Sequence, residues 1–229
     1  MPRLLLLAAA PLLLVPASLA ETRSYDVPTF TEIDVSSGIT LSFAAGETQS
    51  VTVENAKGNF DDIKVTVSDG TLNLKRPQKL GWSFSRPRYT VTVTAPQLSG
   101  LEVSSGADAV GSGLQGPEVF VEVSSGASAE VSDIDGESVI LETNSGANMI
   151  VSGVCGEVRA DSSSGSDLDA RNLVCIDGRA EASSGADTLI HTTQSVRAEA
   201  SSGADVVVYG SPESVSEETS SGGDVTLRS

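Results

Sequence analysis

Positive charge and aromatic surface are what this chain has least of. Fourteen Lys and Arg stand against 31 Asp and Glu, a formal charge of −17. Such a surface repels nucleic acid and anionic membranes. Aromatic residues make up 4% of the chain. Acidity with so few aromatics is also a signature of disorder, but the regular spacing of Val, Leu and Ile argues for a packed fold. The chain has one histidine, His191, and no Ser-His-Asp set can be read around it. Two cysteines without a nearby histidine make a poor metal site. Beyond the first 20 residues no long apolar run occurs, so no membrane span is expected there.

Those first residues have the grammar of a secretory leader. Arg3 supplies the positive start, Leu4 to Val15 the apolar stretch, and Pro16 to Ala20 the small residues of a cut after Ala20. Loss of Arg3 would take the charge to −18. Export to the periplasm or the exterior is the expectation.

What the chain has in abundance is a repeat. Ser-Ser-Gly or a close variant recurs with its glycine at Gly38, Gly106, Gly126, Gly146, Gly165, Gly185, Gly203 and Gly222. From Gly106 onward the intervals are 20, 20, 19, 20, 18 and 19 residues. An acid stands four residues before each glycine: Asp34, Glu102, Glu122, Glu142, Asp161, Glu181, Glu199 and Glu218. The positions on either side of it are mostly apolar or small, as in Leu101/Val103 and Val121/Val123, which is the alternation of a half-buried strand. A second strand follows the glycine, with Ala127, Ala129 and Val131, or Ala204, Val206 and Val208, as its inward set.

Two strands and two turns in about 19 residues suit one coil of an all-β, single-stranded parallel β-helix. Neither strand can bury its apolar face alone, and stacking coils ~4.8 Å apart lets each pair with its own copy. A leucine-rich horseshoe needs a consensus that is absent, and a propeller blade needs four strands per repeat. The Ser-Gly column fits a tight corner, glycine for its backbone and serine for local hydrogen bonding. Residues 21–100 keep strand patterning but lose the period, with a turn signal at Asp69-Gly70. The expected organisation is a leader over 1–20, an N-terminal β cap with wide first coils over 21–100, and regular coils over 101–229 continuous with that cap.

Cys155 and Cys175 lie 20 residues apart, one coil, which brings them near disulfide distance. Free buried thiols or a metal pair are the alternatives. Residues 75–88 hold five of the chain's Lys and Arg and its only tryptophan. Trp82, Phe84, Arg86 and Arg88 are therefore candidate contacts for a glycan or a surface protein, with packing onto the cap as the alternative. Two residues after the glycine runs a second polar column: Asp108, Ser128, Asn148, Asp167, Asp187, Asp205 and Asp224. Asp187, Asp205 and Asp224 are a weak candidate for Ca²⁺, against solvated carboxylates. No other metal or cofactor is expected. Arg159, Arg179 and Arg197 precede acids of the first column by two residues and are expected to form an ionic ladder across coils.

The stretch Phe30 to Phe43, F-T-E-I-D-V-S-S-G-I-T-L-S-F, resembles the opening of the bacterial family called putative auto-transporter adhesin, head GIN domain. The later Ser-Gly-Ala-Asp coils are similar to it too, over roughly residues 25 to 229. The family tripeptide Gly-Ile-Asn stands here as Gly38-Ile39-Thr40. The resemblance implies a β-helical exported domain and brings no catalytic residues. The expected function is a cell-envelope or extracellular binding or adhesion module without catalytic activity. The alternative is a carbohydrate-active β-helix enzyme, a polysaccharide lyase or hydrolase. Against that alternative, short coils without loops make a groove hard to build. Self-association is expected through the last coil, Asp224 to Arg228, which has no evident cap.

Overall fold

The computed structural model describes residues 21–56, 59–77 and 88–229. The leader over 1–20 lies outside them, as do Trp82, Phe84 and Arg86. The described residues form seventeen strands: β1 Glu21–Tyr25, β2 Glu32–Val35, β3 Thr40–Ala45, β4 Ser50–Asn55, β5 Lys64–Ser68, β6 Thr71–Lys75, β7 Tyr89–Ala95, β8 Gly100–Val103, β9 Asp108–Ser112, β10 Gln115–Ser124, β11 Ser128–Asn144, β12 Asn148–Ser162, β13 Asp167–Ser183, β14 Asp187–Ser201, β15 Asp205–Tyr209, β16 Ser214–Ser220 and β17 Asp224–Arg228. Among them is no helix, and hence none long and apolar enough to cross a membrane.

The strands wind into a parallel solenoid with two walls meeting at the Ser-Gly corner. The leading wall, before the corner, stacks β8, β10, the second halves of β11 to β14, and β16. The trailing wall stacks β9, the first halves of β11 to β14, β15 and β17. Each repeat pairs with the next in register: Glu122 with Glu142, Glu142 with Asp161, Asp161 with Glu181. In four of the coils the two short strands expected are fused across the walls. From β11 to β14 the chain runs 15 to 17 residues from one wall into the other, interrupted only at the corner. Register shifts fall at the bend opposite, between Val131 and Ile134, Ile150 and Ser152, and Ala170 and Val174. That bend absorbs the drift in repeat length, so the corner stays in line.

At the corner the serine does more than the sequence suggested. Both Ser125 and Gly126 have positive φ, 56° and 67°, and the same holds in all eight copies. Two consecutive left-handed residues make a type I′ turn. It is closed by the Ala127 N–H donating to the Ser124 carbonyl at 3.2 Å. The Gly126 N–H points along the axis and donates to the Ser145 carbonyl of the next coil at 3.1 Å. The hydrogen bonds of this corner thus run through its backbone.

The N-terminal region is the irregular cap expected, with a coil order the sequence does not show. β2, its corner and β3 form a full coil that lies directly on β8 and β9. The chain then leaves, and β6 and β7 come back onto the other side of β2 and β3. The first coil is therefore sandwiched. Antiparallel strands close the end: β4 against β7, β1 against β4, and β5 against β6 through the Asp69-Gly70 turn.

The interior is narrow and apolar over most of its length. One inward column of the leading wall runs Leu72, Ile33, Leu101, Val121, Leu141, Ala160, Ala180 and Ala198, all buried. Where this wall thins to alanine, the other supplies Leu168, Ile190, Val206 and Val208. Bulk is matched along the axis too. Phe43 pairs with Gly111, and a Cβ at Gly111 would stand 2.3 Å from the Phe43 ring. A buried polar seam crosses the middle, where the Ser166 hydroxyl donates to the Thr143 carbonyl at 3.1 Å and Ser162 bonds Thr188. Cys155 and Cys175 face each other in register and form a disulfide, their Cα atoms 4.5 Å apart.

Candidate functional site

The outward residues of the leading wall alternate with the buried ones and so form columns. The acid column, Asp34 to Glu218, is continuous through eight paired strands. Beside it, toward the corner, runs Asn144, Ser163, Ser183, Ser201 and Ser220; on the other side stand Arg159, Arg179 and Arg197. Over the last five coils the wall carries an open groove of about 490 Å³ lined by Glu142, Asp161, Glu181, Glu199 and Glu218, by Arg159, by the serine column, and by Thr143, Ser162, Ala182 and Ala200. Short coils were expected to make a groove hard to build; this one is lined by residues of the strands and by Ser163 beside β12.

The arginines knit this groove across coils, as the spacing predicted. Arg159 meets Asp161 at 2.9 Å; Arg179 meets Glu181 at 2.5 Å and Glu199 at 3.3 Å; Arg197 meets Glu199 at 2.6 Å and Glu218 at 3.5 Å. Half-exposed pairs of this kind contribute little stability each, ~0–1 kcal/mol, but they fix the direction of the charged groups. The hydrogen bond from Arg197 holds the Glu199 carboxyl below the usual carboxylate range, against some burial.

Toward the N-terminus the column loses its arginines. The positions in register with Arg159 are Ile140, Phe120 and Gly100. Burial pushes the Glu102 carboxyl up, helped by Asp34 and Glu122 and opposed by Lys75, whose amine sits 2.6 Å from Asp34. Glu122 is raised by burial first and then by Glu142 and Asp34. One wall thus carries a crowded anionic half and a grooved half whose acids are partly neutralised by arginine.

The other predicted residues fall elsewhere. Asp167, Asp187, Asp205 and Asp224 are in direct register on the trailing wall, and Asp187 is raised by burial and by both neighbours. They form a row, and among the described residues no three acidic, histidine or cysteine side chains form a group that could hold a metal ion. His191 is half-buried on the same wall, its Nδ1 3.0 Å from the Arg171 carbonyl oxygen. Arg88 is exposed.

At the roots of the segment that holds Trp82 is a cluster that sequence reasoning missed. The buried Tyr89 hydroxyl, with one proton to donate, lies within hydrogen-bond reach of both Asp62 and the Asn59 carbonyl, the latter at 2.9 Å, and Asp62 pairs with Arg76 at 2.7 Å. Burial first, then Asp62, pushes the Tyr89 hydroxyl up to about 12. These residues follow no period, so nothing in the repeat could have found them.

Similar folds are known. The chain matches a putative adhesin from Bacteroides fragilis with a TM-score of 0.83 at 18% identity, over 93% of this chain and 99% of that one. A putative adhesin from Parabacteroides merdae matches at 0.71 and 14%, over 92% and 96%. A putative lipid binding protein from Parabacteroides distasonis matches at 0.70 and 15%, over 92% and 97%. At these identities the likeness is one of fold. No curated protein matches the chain. The family model matches residues 29–212, which takes in the first Ser-Ser-Gly corner, the cap apart from β1, and all but the last coil, so the chain belongs to the family described as putative auto-transporter adhesin, head GIN domain.

Proposed function

We propose that this protein is an exported adhesion-like module that holds an extended glycan along the groove of the leading wall, without catalytic turnover. The observation that carries the reading is the groove itself. Carboxylates and serine hydroxyls repeat along it in parallel columns at the coil spacing, ~4.8 Å, with guanidinium groups beside them. That pattern suits a polymer rich in hydroxyls lying along the axis. The family description and the adhesins of the same fold support the adhesion reading. The leader-like residues 1–20 and a disulfide, which persists in oxidising compartments, support export.

Of the two enzyme alternatives, a polysaccharide lyase or a hydrolase, the hydrolase requires a carboxyl kept protonated for general acid chemistry. In the groove the Arg197 hydrogen bond holds Glu199 toward ionisation, the opposite of what a general acid needs. Trp82, Phe84, Arg86 and Arg88 are a second, sequence-based candidate for the contact.

A glycan array, run with and without Ca²⁺, tests the proposal. Retention of a neutral polysaccharide without product release is expected, weakened about tenfold or more in an Arg179→Ala/Arg197→Ala variant and unchanged in Trp82→Ala. Loss in Trp82→Ala alone would move the contact to the 75–88 segment. A calcium requirement abolished by Asp205→Asn would move it to the acid row of the trailing wall. Release of oligosaccharides would establish the enzyme, and no binding under either condition would overturn the glycan reading.

A further inference from the structure

The last coil is built from the repeat but breaks its inward rule at one position. One column of the core runs Leu141, Ala160, Ala180 and Ala198, each in register with the next and each buried. The residue in register with Ala198 on β16 is Glu217. Its neighbours on that face are in register with buried residues too, Val215 with Val196 and Thr219 with Ala200. Glu218, on the outer face, continues the acid column and meets Arg197 at 3.5 Å. Glu217 is therefore a second acid beside the regular one, aligned with the core and not with the wall's surface. Among the described residues no Lys or Arg pairs with it.

The position matters because of what lies beside it. Among the described residues β16 pairs only with β14, and β17 only with β15, so the outer rims of both strands carry backbone groups with no strand partner. Apolar side chains are half open there: Val215 is 37% exposed and Leu227 49%. An edge of this kind is a template for another chain, and native sheets block such edges with a charge pointing into the face that a docking strand would bury. We infer that Glu217 is that block: its carboxylate keeps a second copy of this chain from adding its own last coil to this one. The self-association expected of the last coil is then absent in the native chain and appears once Glu217 is made apolar.

The geometry of the blocked contact shows why one acid is enough. Two last coils that meet end to end do so about a two-fold axis, which runs the two β16 strands antiparallel. Inward side chains must stay inward, because a slip by one residue turns every one of them to the other face. Glu217 then stands opposite Val215, Glu217 or Thr219 of the second copy. In each of these registers both carboxylates enter one closed apolar end, within ~8 Å of one another. A buried charge without a counter-ion and a like charge beside it both oppose the contact. An apolar residue at the same place would instead carry the alanine column across the junction. Glu217 is not among the residues that line the groove, so the block and the glycan reading stand or fall separately.

Sedimentation equilibrium of the native chain and three variants tests the block. At ~100 µM the native chain should be monomeric. Glu217→Val should form dimers, with an association constant raised about tenfold or more. Glu218→Val removes the same charge and adds the same side chain on the outer face, and should stay monomeric. Glu217→Lys puts a charge of the other sign in the same place and should stay monomeric too. Hydrogen exchange locates the contact: in Glu217→Val the amides of β16 and β17 should slow as concentration rises, and those of β1 and β4 should not. Native dimers held through β16 and β17, a monomeric Glu217→Val, association of Glu218→Val or Glu217→Lys equal to that of Glu217→Val, or protection that appears away from the last coil would each overturn the inference.

Discussion

The corner serine is where single-residue chemistry bears most heavily on this fold. A side chain with a Cβ enters the left-handed region at a cost of ~1–2 kcal/mol, yet all eight corner serines are there, with φ between 50° and 66°. Glycine follows each one, so the pair supplies the two positive φ angles that a type I′ turn requires. Asparagine tolerates this conformation better than most residues, and β-branched residues tolerate it worst. Ser125→Asn is therefore expected to leave stability unchanged or raise it by up to ~1 kcal/mol, and Ser125→Val to lower it by ~2 kcal/mol. Thermal unfolding of the two variants checks this; a loss in Asn equal to that in Val would mean that the serine side chain, and not the backbone, holds the corner.

At the scale of the strand, identical residues stack on identical residues, and the benefit depends on which residue it is. An alanine or valine column gains contact at every step. A carboxylate column gains repulsion, unless arginine stands beside it as it does from Arg159 to Arg197. Glu102 and Glu122 lack that neighbour and are raised in the folded state. A carboxyl raised on folding binds its proton more tightly in the native state. It therefore lowers stability at pH values above its folded pKa, and that loss is relieved as pH falls through the folded pKa toward the ordinary Glu value. Glu122→Gln should accordingly raise the midpoint of thermal unfolding at pH 7, with the gain shrinking as pH falls toward ~4. A gain that stays constant across that range would show that packing, and not charge, is responsible.

How far the sequence can be read follows from the same stacking. The eight Ser-Gly copies declare the coils, the acid and arginine columns, and the partnership of Cys155 with Cys175, because each depends only on equivalent positions meeting. The coil order of the cap is not readable this way. β6 and β7 stack on β2 and β3 through pairings that skip β4 and β5, and no repeat marks them. The groove is hidden for a different reason: it depends on how side chains of neighbouring columns stand relative to one another in space, which the spacing of the repeat does not state. The Tyr89–Asp62–Arg76 cluster is invisible because its members are drawn from three separate segments of the irregular region.

At the scale of the whole molecule, two walls wound from one repeat carry different surfaces. The leading wall is grooved and ionic; the trailing wall carries a row of aspartates along its corner edge. Both rest on one claim, that successive Ser-Ser-Gly segments lie one above the next along a single axis. Pulsed electron-spin resonance on spin-label pairs measures this directly. With one label at Ser105 and the second at Ser184, Ser202 or Ser221, four, five or six coils away, the account predicts distances rising by ~4.8 Å per coil, from ~19 to ~29 Å. Distances that fail to lengthen in that order, or that scatter without regard to coil number, would contradict it.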